Sequence, residues 1–208
     1  MFDSFPHGLS ERLDRPTYHA DYHRVFASGI RHMNKLERGQ NFKERGFASW
    51  EAFAAGEWDR ALSLADERRD VYAQQFHEAA RLGVRQRRLR VVEFPVTPYV
   101  QWEFHVLRVR VELGDDIRVM DARRIADIEK DRPVPEVVIL GDAAMYEVLY
   151  DEDGNAMGCR RFTDRALIQE TSAGFDALYE RGDGFHDFFD REIAPLPPPA
   201  VAYPAGGG

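Results

Sequence analysis

The chain has 208 residues, of which 44% are hydrophobic, 31% charged and 12% aromatic, and a formal net charge of -8. That composition belongs to a globular protein with enough chain for one well-cored domain, and it excludes a disordered or fibrous one. The acidic balance argues against a general binder of phosphate backbones, and the single Cys159 excludes an internal disulfide framework or a multi-cysteine zinc site within one chain.

Residues 1–15 have no clear period and are expected to wrap or fray. Neither a basic nor an apolar leader segment opens MFDSFPHGLSER, and no apolar run approaches the roughly 20 residues of a membrane span; a cytoplasmic location without membrane contact is expected. From Thr17 to about Arg38, Tyr18, Tyr22, Phe26, Ile30 and Met33 recur at helical spacings and predict one helix that Gly39 ends. Ser49 is the expected N-cap of a short helix in which Trp50 and Phe53 share a face. Asp59 to Gly83 predicts one long helix with Leu64, Val71, Phe76, Ala79 and Leu82 inward and Gly83 just past its end. Residues 1–83 are thus expected to form an N-terminal helical region.

The period then changes. RRLRVVEF is rich in β-branched residues and stops at Pro95, as a strand does. The next segment is ambiguous, because Tyr99, Trp102, Val106, Val109 and Leu113 fall at helical spacings while HVLRVRVEL also alternates. Pro98 in a first turn and Gly114 at the exit decide for a helix. With DDIRVMD as a second strand, Arg88–Asp121 becomes a βαβ unit with parallel strands and a right-handed crossover. A charged connection over 122–135 leads to EVVILGD, a strand fit for burial on both faces. MYEVLYDEDGNAMGCRRF predicts a hairpin turning at Asp153-Gly154, and Thr163 is the expected N-cap of a helix directing Leu167, Ile168, Phe175, Leu178 and Tyr179 at the sheet. The predicted fold class is α/β, with α+β as the alternative: a helical layer, then a mixed sheet holding the βαβ unit, the hairpin and a C-terminal helix. Residues 84–193 form the α/β domain, and 194–208 a flexible Pro/Gly-rich tail.

No complete catalytic motif is present. His19 and His23 stand one helical turn apart at metal-ligand reach, but no third ligand is evident, so no metal or cofactor is expected. Asp151, Asp153 and Asn155 alternate like a calcium loop, yet Ala156 replaces the required glycine and Phe162 the closing glutamate. Cys159 reads as a packing thiol. The concentration of polar residues worth attention is Arg90 on the first strand, Tyr99, Trp102, Glu103 and His105 on the helix, and Asp115, Asp116 and Arg118 entering the second strand. Ligands of open α/β sheets sit beyond the carboxyl ends of the strands, where Glu93–Thr97 and the 121–124 turn would converge. A structural alternative is an ion-pair network of Arg90, Glu103 and Arg118 that fixes strand register. Arg81, Arg85, Arg87, Arg88 and Arg90 form a basic cluster that reads either as an anion patch or as a solvated face.

LRVVEFPVTPYVQWEF, GDDIRVMDAR, VILGD and MYEVLYDEDGNAMG together resemble an actinobacterial family of unknown function often associated with helix-turn-helix regulators. The likeness spans roughly residues 26–182 and is most specific over 88–121. Arg90, Val92, Pro95, Tyr99, Glu103, Gly114, Asp116 and Arg118 fall on its pattern, and Asp115 stands where that family usually has Glu. Its order of elements is in turn similar to a phospholipase D-like half-domain used without catalysis; the catalytic H-x-K-x-x-x-x-D spacing is absent here.

Three functions follow as expectations. The first is a non-catalytic regulatory or accessory module that binds a small molecule or a regulator protein, with Arg90, Tyr99, Trp102, Glu103, Asp116 and Arg118 as ligand-binding residues. The second is an enzyme of specialised metabolism acting on a small anionic or carrier-bound substrate, with Glu103 and His105 as acid and base. The third is nucleic-acid contact through Arg81–Arg90, which the net charge disfavours. Oligomeric state is left open; the aromatic FHDFF segment is either a homodimer surface or a cover for the sheet edge.

Overall fold

The computed structural model describes Phe5 and residues 7–200. Eight strands form one mixed sheet: β1 (Ser10–Asp14), β2 (His32–Glu37), β3 (Arg85–Val92), β4 (Asp116–Asp121), β5 (Val137–Leu140), β6 (Ala144–Tyr150), β7 (Ala156–Phe162) and β8 (Asp183–Gly184), in the order β1-β7-β6-β5-β2-β3-β4-β8. The central strands β2, β3 and β4 are parallel, and every other neighbouring pair is antiparallel. Among the described residues no helix is long and apolar enough to cross a membrane.

The βαβ unit forms as its sequence predicts. Thr97 caps α5 (Pro98–Glu112) by accepting from the Val100 amide, Pro98 fills the first turn, and β3 and β4 pair in parallel on either side of the connection. Nine of the residues of α5 are buried, because α2 (Ala48–Ala54), α3 (Trp58–Asp66), α4 (Arg69–Arg81) and the segment from α7 (Phe185–Phe188) to Ile193 all pack around it. On the opposite face α6 (Arg165–Arg181) covers Leu36, Leu89, Val91 and Met120. A third cluster joins α1 (Arg15–Phe26) to the β6-β7 end through Val25, Tyr146 and Cys159. Burial pushes the Cys159 thiol up to about 12, which keeps it protonated and inert.

Five local expectations are corrected. The helix predicted over Thr17–Arg38 ends at Phe26; Gly29 turns the chain at φ 91°, and His32–Glu37 becomes a central strand. Ile30 and Met33 extend the helical spacing by coincidence, and within HMNKLE the two apolar residues Met33 and Leu36 keep an i, i+3 spacing although the segment is a strand. Residues 10–14 do not fray but pair with β7 as an edge strand. The predicted Asp59–Gly83 helix is two helices broken at Glu67–Arg68, which leaves Val71 41% exposed and turns Tyr72 inward. Ser49 lies inside α2, where its hydroxyl donates to the Ala61 carbonyl and accepts from Trp102 Nε1. Asp164, one residue beyond Thr163, caps α6. The hairpin of β6 and β7 turns through Asp151–Asn155, with the Asp151 carboxylate accepting from the Asp153 and Asn155 amides. Leu196 and Pro197 of the Pro-rich tail accept from Gln101 Nε2, while residues 201–208 lie outside the described part.

Candidate functional site

Parallel pairing of β2 and β3 sets Lys35 beside Arg88 and Glu37 beside Arg90. Successive strand residues face opposite ways, so these four side chains all point at α5 while Asn34, Arg87 and Leu89 point at α6. Glu37 is clamped by Lys35 at 2.6 Å and Arg88 at 2.7 Å. Arg90, fully buried, donates from Nε to Glu103 Oε2 at 2.8 Å and from Nη1 to the Val91 carbonyl at 2.9 Å. From the end of α5, Arg110 holds Asp115 at 2.8 Å, and Asp115 in turn stands 3.8 Å from Arg88. A buried chain of alternating charge thereby ties β2, β3 and α5 together.

The two glutamates of this network are driven apart. Burial alone would raise Glu37, but Arg88, Lys35 and Arg90 outweigh it and hold the carboxylate well below its ordinary range. Burial dominates at Glu103, with the charge of Glu37 adding to it against Arg90, and the carboxyl is pushed up to about 7. Arg88 and Arg90 remain charged, because the surrounding carboxylates overcome the cost of burying them.

Above this floor is a cavity of about 360 Å³. Its walls come from the 44–47 loop, α4 and α5, and they carry six cationic side chains (Arg15, Lys35, Arg45, Arg68, Arg88 and Arg110) against three carboxylates (Glu37, Glu44 and Glu103), with Phe47, Tyr72, Tyr99 and Trp102 between them. Lys35, Arg88 and Arg110 are occupied by the network. The other three have no carboxylate within ion-pair distance among the described residues: Arg45 donates only to the Asn155 side-chain carbonyl at 3.1 Å, and Arg68 lies over the rings of Phe47 and Tyr72 at 5.4 and 5.6 Å. Nε of Arg68 and Nε of Arg88 are buried without a hydrogen-bond acceptor. Glu103 uses Oε2 for Arg90; its Oε1 accepts nothing from a described residue and is left to the cavity that the side chain lines.

The structure thus gathers some of the predicted site residues and separates others. Tyr99, Trp102 and Glu103 line the cavity, and Arg90 supports Glu103 from behind. Asp116 and Arg118 are on the α6 face: Asp116 takes the Tyr179 hydroxyl and pairs with Arg85, and Arg118 donates to the carbonyls of Tyr179 and Glu180. The expected three-membered network therefore forms as Arg90–Glu103 without Arg118. His105 projects from another side of α5, between the rings of Trp58 and Phe189, where burial lowers its pKa to about 4, so it is not paired with Glu103. His19 and His23 are exposed on α1, and among the described residues no three metal-ligating side chains cluster. The basic cluster divides by strand parity, with Arg85 and Arg87 toward α6 paired to Asp116 and Asp176, Arg88 and Arg90 under α5, and Arg81 paired to Glu78. The cavity itself lies over the sheet face, not beyond the carboxyl ends of the strands.

Sequence reasoning missed Lys35, Glu37, Arg45 and Arg68. The i, i+2 charge pair Lys35/Glu37 was a usable signal once residues 32–37 are read as a strand. No local pattern marks Arg45 or Arg68, whose role depends on tertiary position.

No curated protein matches the chain. Among solved structures, one similar chain is TrmBL2, described as an archaeal chromatin protein with a novel mode of DNA binding; identity is 10%, TM-score 0.41, and the match covers 88% of this chain and 56% of that one, so the chain spans little more than half of that protein's length. A family model described as a domain of unknown function, DUF6879, matches residues 20–190.

Proposed function

We propose that this chain, which belongs to the DUF6879 family of unknown function, is a non-catalytic binding module whose ligand is a small anion-bearing molecule seated between the β2-β3 face and α5. One observation carries the reading: in a chain of net charge -8, three arginines that have no carboxylate partner among the described residues line a single cavity. Of the three carboxylates in the lining, Glu37 is already committed to Lys35 and Arg88, Glu103 to Arg90, and Glu44 accepts from the Tyr99 hydroxyl. The cavity is of ligand size, since small-molecule sites begin near ~300 Å³, and its floor is preorganised by buried ion pairs that need not move on binding. The regulatory role, the link to helix-turn-helix proteins and the phospholipase D-like analogy rest on the sequence resemblance alone.

The test is thermal melting of the full chain with inorganic phosphate, sulfate and citrate. A saturable rise in melting temperature that Arg68→Ala removes is expected; no stabilisation by any of the three, or stabilisation indifferent to Arg68→Ala, would refute the reading. A second reading, acid–base chemistry on an anionic substrate, is favoured by the elevated Glu103 carboxyl at the cavity wall. His105 would take no part in it from its separate aromatic niche. Nucleic-acid contact has less support, because the arginines of the basic cluster do not share a surface.

A further inference from the structure

The cavity has two unlike ends, and a simple anion would satisfy one of them. At the rim, Arg15 at the start of α1, Arg45 in the 44–47 loop and Arg68 between α3 and α4 come from three separate parts of the chain and share no carboxylate among the described residues. A carboxylate ligand is satisfied by one bidentate guanidinium. Three guanidiniums match a group with three acceptor oxygens and a charge approaching -2, which is the description of a phosphate monoester. Deeper in the lining stands Glu103, whose Oε2 takes Arg90 and whose Oε1 accepts from no described residue, so it can take a hydrogen bond from a ligand that fills the space. Phe47 and Tyr72, whose rings lie against Arg68, add apolar surface to the lining.

We infer that the ligand is a phosphate monoester whose body carries a hydroxyl or amino group, with the phosphate held by Arg15, Arg45 and Arg68 and the body hydrogen-bonded to Glu103 Oε1. This rests on the anion-binding reading above and makes it specific. A cavity of about 360 Å³ has room for a nucleotide-sized or sugar-phosphate-sized molecule, and far more than inorganic phosphate requires.

Calorimetric titration of the full chain with inorganic phosphate, ribose 5-phosphate, adenosine 5′-monophosphate and adenosine separates the possibilities. At least one of the two monoesters is expected to bind about tenfold or more tightly than inorganic phosphate, with adenosine not binding. Arg68→Ala should weaken both the monoester and inorganic phosphate, whereas Glu103→Gln should weaken the monoester by about tenfold and leave inorganic phosphate unchanged. Arg45→Ala, at an exposed position, provides a second rim variant that cannot fail through misfolding of the core. If neither monoester exceeds inorganic phosphate, or Glu103→Gln affects both alike, the inference falls while the anion-binding reading stands. If no phosphate compound binds and citrate or sulfate likewise gives no response, both fall together.

Discussion

Arg90 and Glu103 illustrate how a buried ion pair serves a site more than it serves stability. Removing two charges from water costs about as much as their attraction returns, and here the balance is shifted further by Glu37, whose charge adds to burial in raising Glu103 to about 7. The consequence for pH has a definite sign. Glu103 binds its proton more tightly in the folded chain than its ordinary value of 4.5 allows, so between those limits the folded state holds a proton that the unfolded state has released. Stability therefore falls as pH rises through that window and is level above it. Glu37 acts oppositely and elsewhere: held low, it contributes fully above the ordinary carboxylate range and loses that contribution only in stronger acid. Comparing urea unfolding of the wild type and Glu103→Gln from pH 5 to pH 8 should show the wild type losing up to about 3 kcal/mol relative to the variant. A difference that is constant with pH would mean that Glu103 ionises normally.

At the scale of elements, the edge strand β1 depends on one glycine. Gly158 of β7 adopts φ 128°, and a Cβ there would strike the Leu13 carbonyl oxygen of β1. Gly158→Ala is expected to destabilise the protein by roughly 2 kcal/mol or more and to expose β1 to proteolysis; an unchanged urea midpoint would show that the strand tolerates the side chain. Sequence gave no hint of this contact, because Gly158 sits inside an alternating strand pattern and its partner lies in residues that show no period. Elsewhere legibility followed local chemistry. Pro98 and Gly114 bracket α5 with signals that act within a few residues, and so the βαβ unit could be read. β2 could not, since its four polar residues conceal that it is a central strand and Ile30 and Met33 carry on the rhythm of Tyr18, Tyr22 and Phe26. The break at Glu67–Arg68 is invisible for a related reason: no Gly or Pro marks it, and the segments on both sides are helical. For the site, Tyr99, Trp102 and Glu103 were legible because one helix carries them, whereas Arg15, Arg45 and Arg68 meet only in three dimensions.

Across the whole molecule, sheet order sets a gradient of stability that runs through the candidate site. β2 and β3 are each paired on both sides and covered on both faces, by α5 with its supporting helices and by α6. Their amides can exchange with solvent only when the central sheet opens, and that opening also unpacks both hydrophobic clusters. β1 has one neighbour, and β8 is two residues long. In native-state hydrogen exchange, Leu36, Leu89 and Val91 should therefore report the free energy of global unfolding, and the amides of β1 should exchange through a local opening of much lower cost. The ranking matters for binding because the floor residues Glu37, Arg88 and Arg90 belong to the protected strands, while Arg15 begins α1 immediately after β1 and Arg45 belongs to a loop. A rigid floor with a yielding rim lets an anion enter and be enclosed without disturbing the ion pairs beneath it. Should the amides of β1 prove as slow as those of β2 and β3, the gradient, and with it the contrast between floor and rim, would be absent.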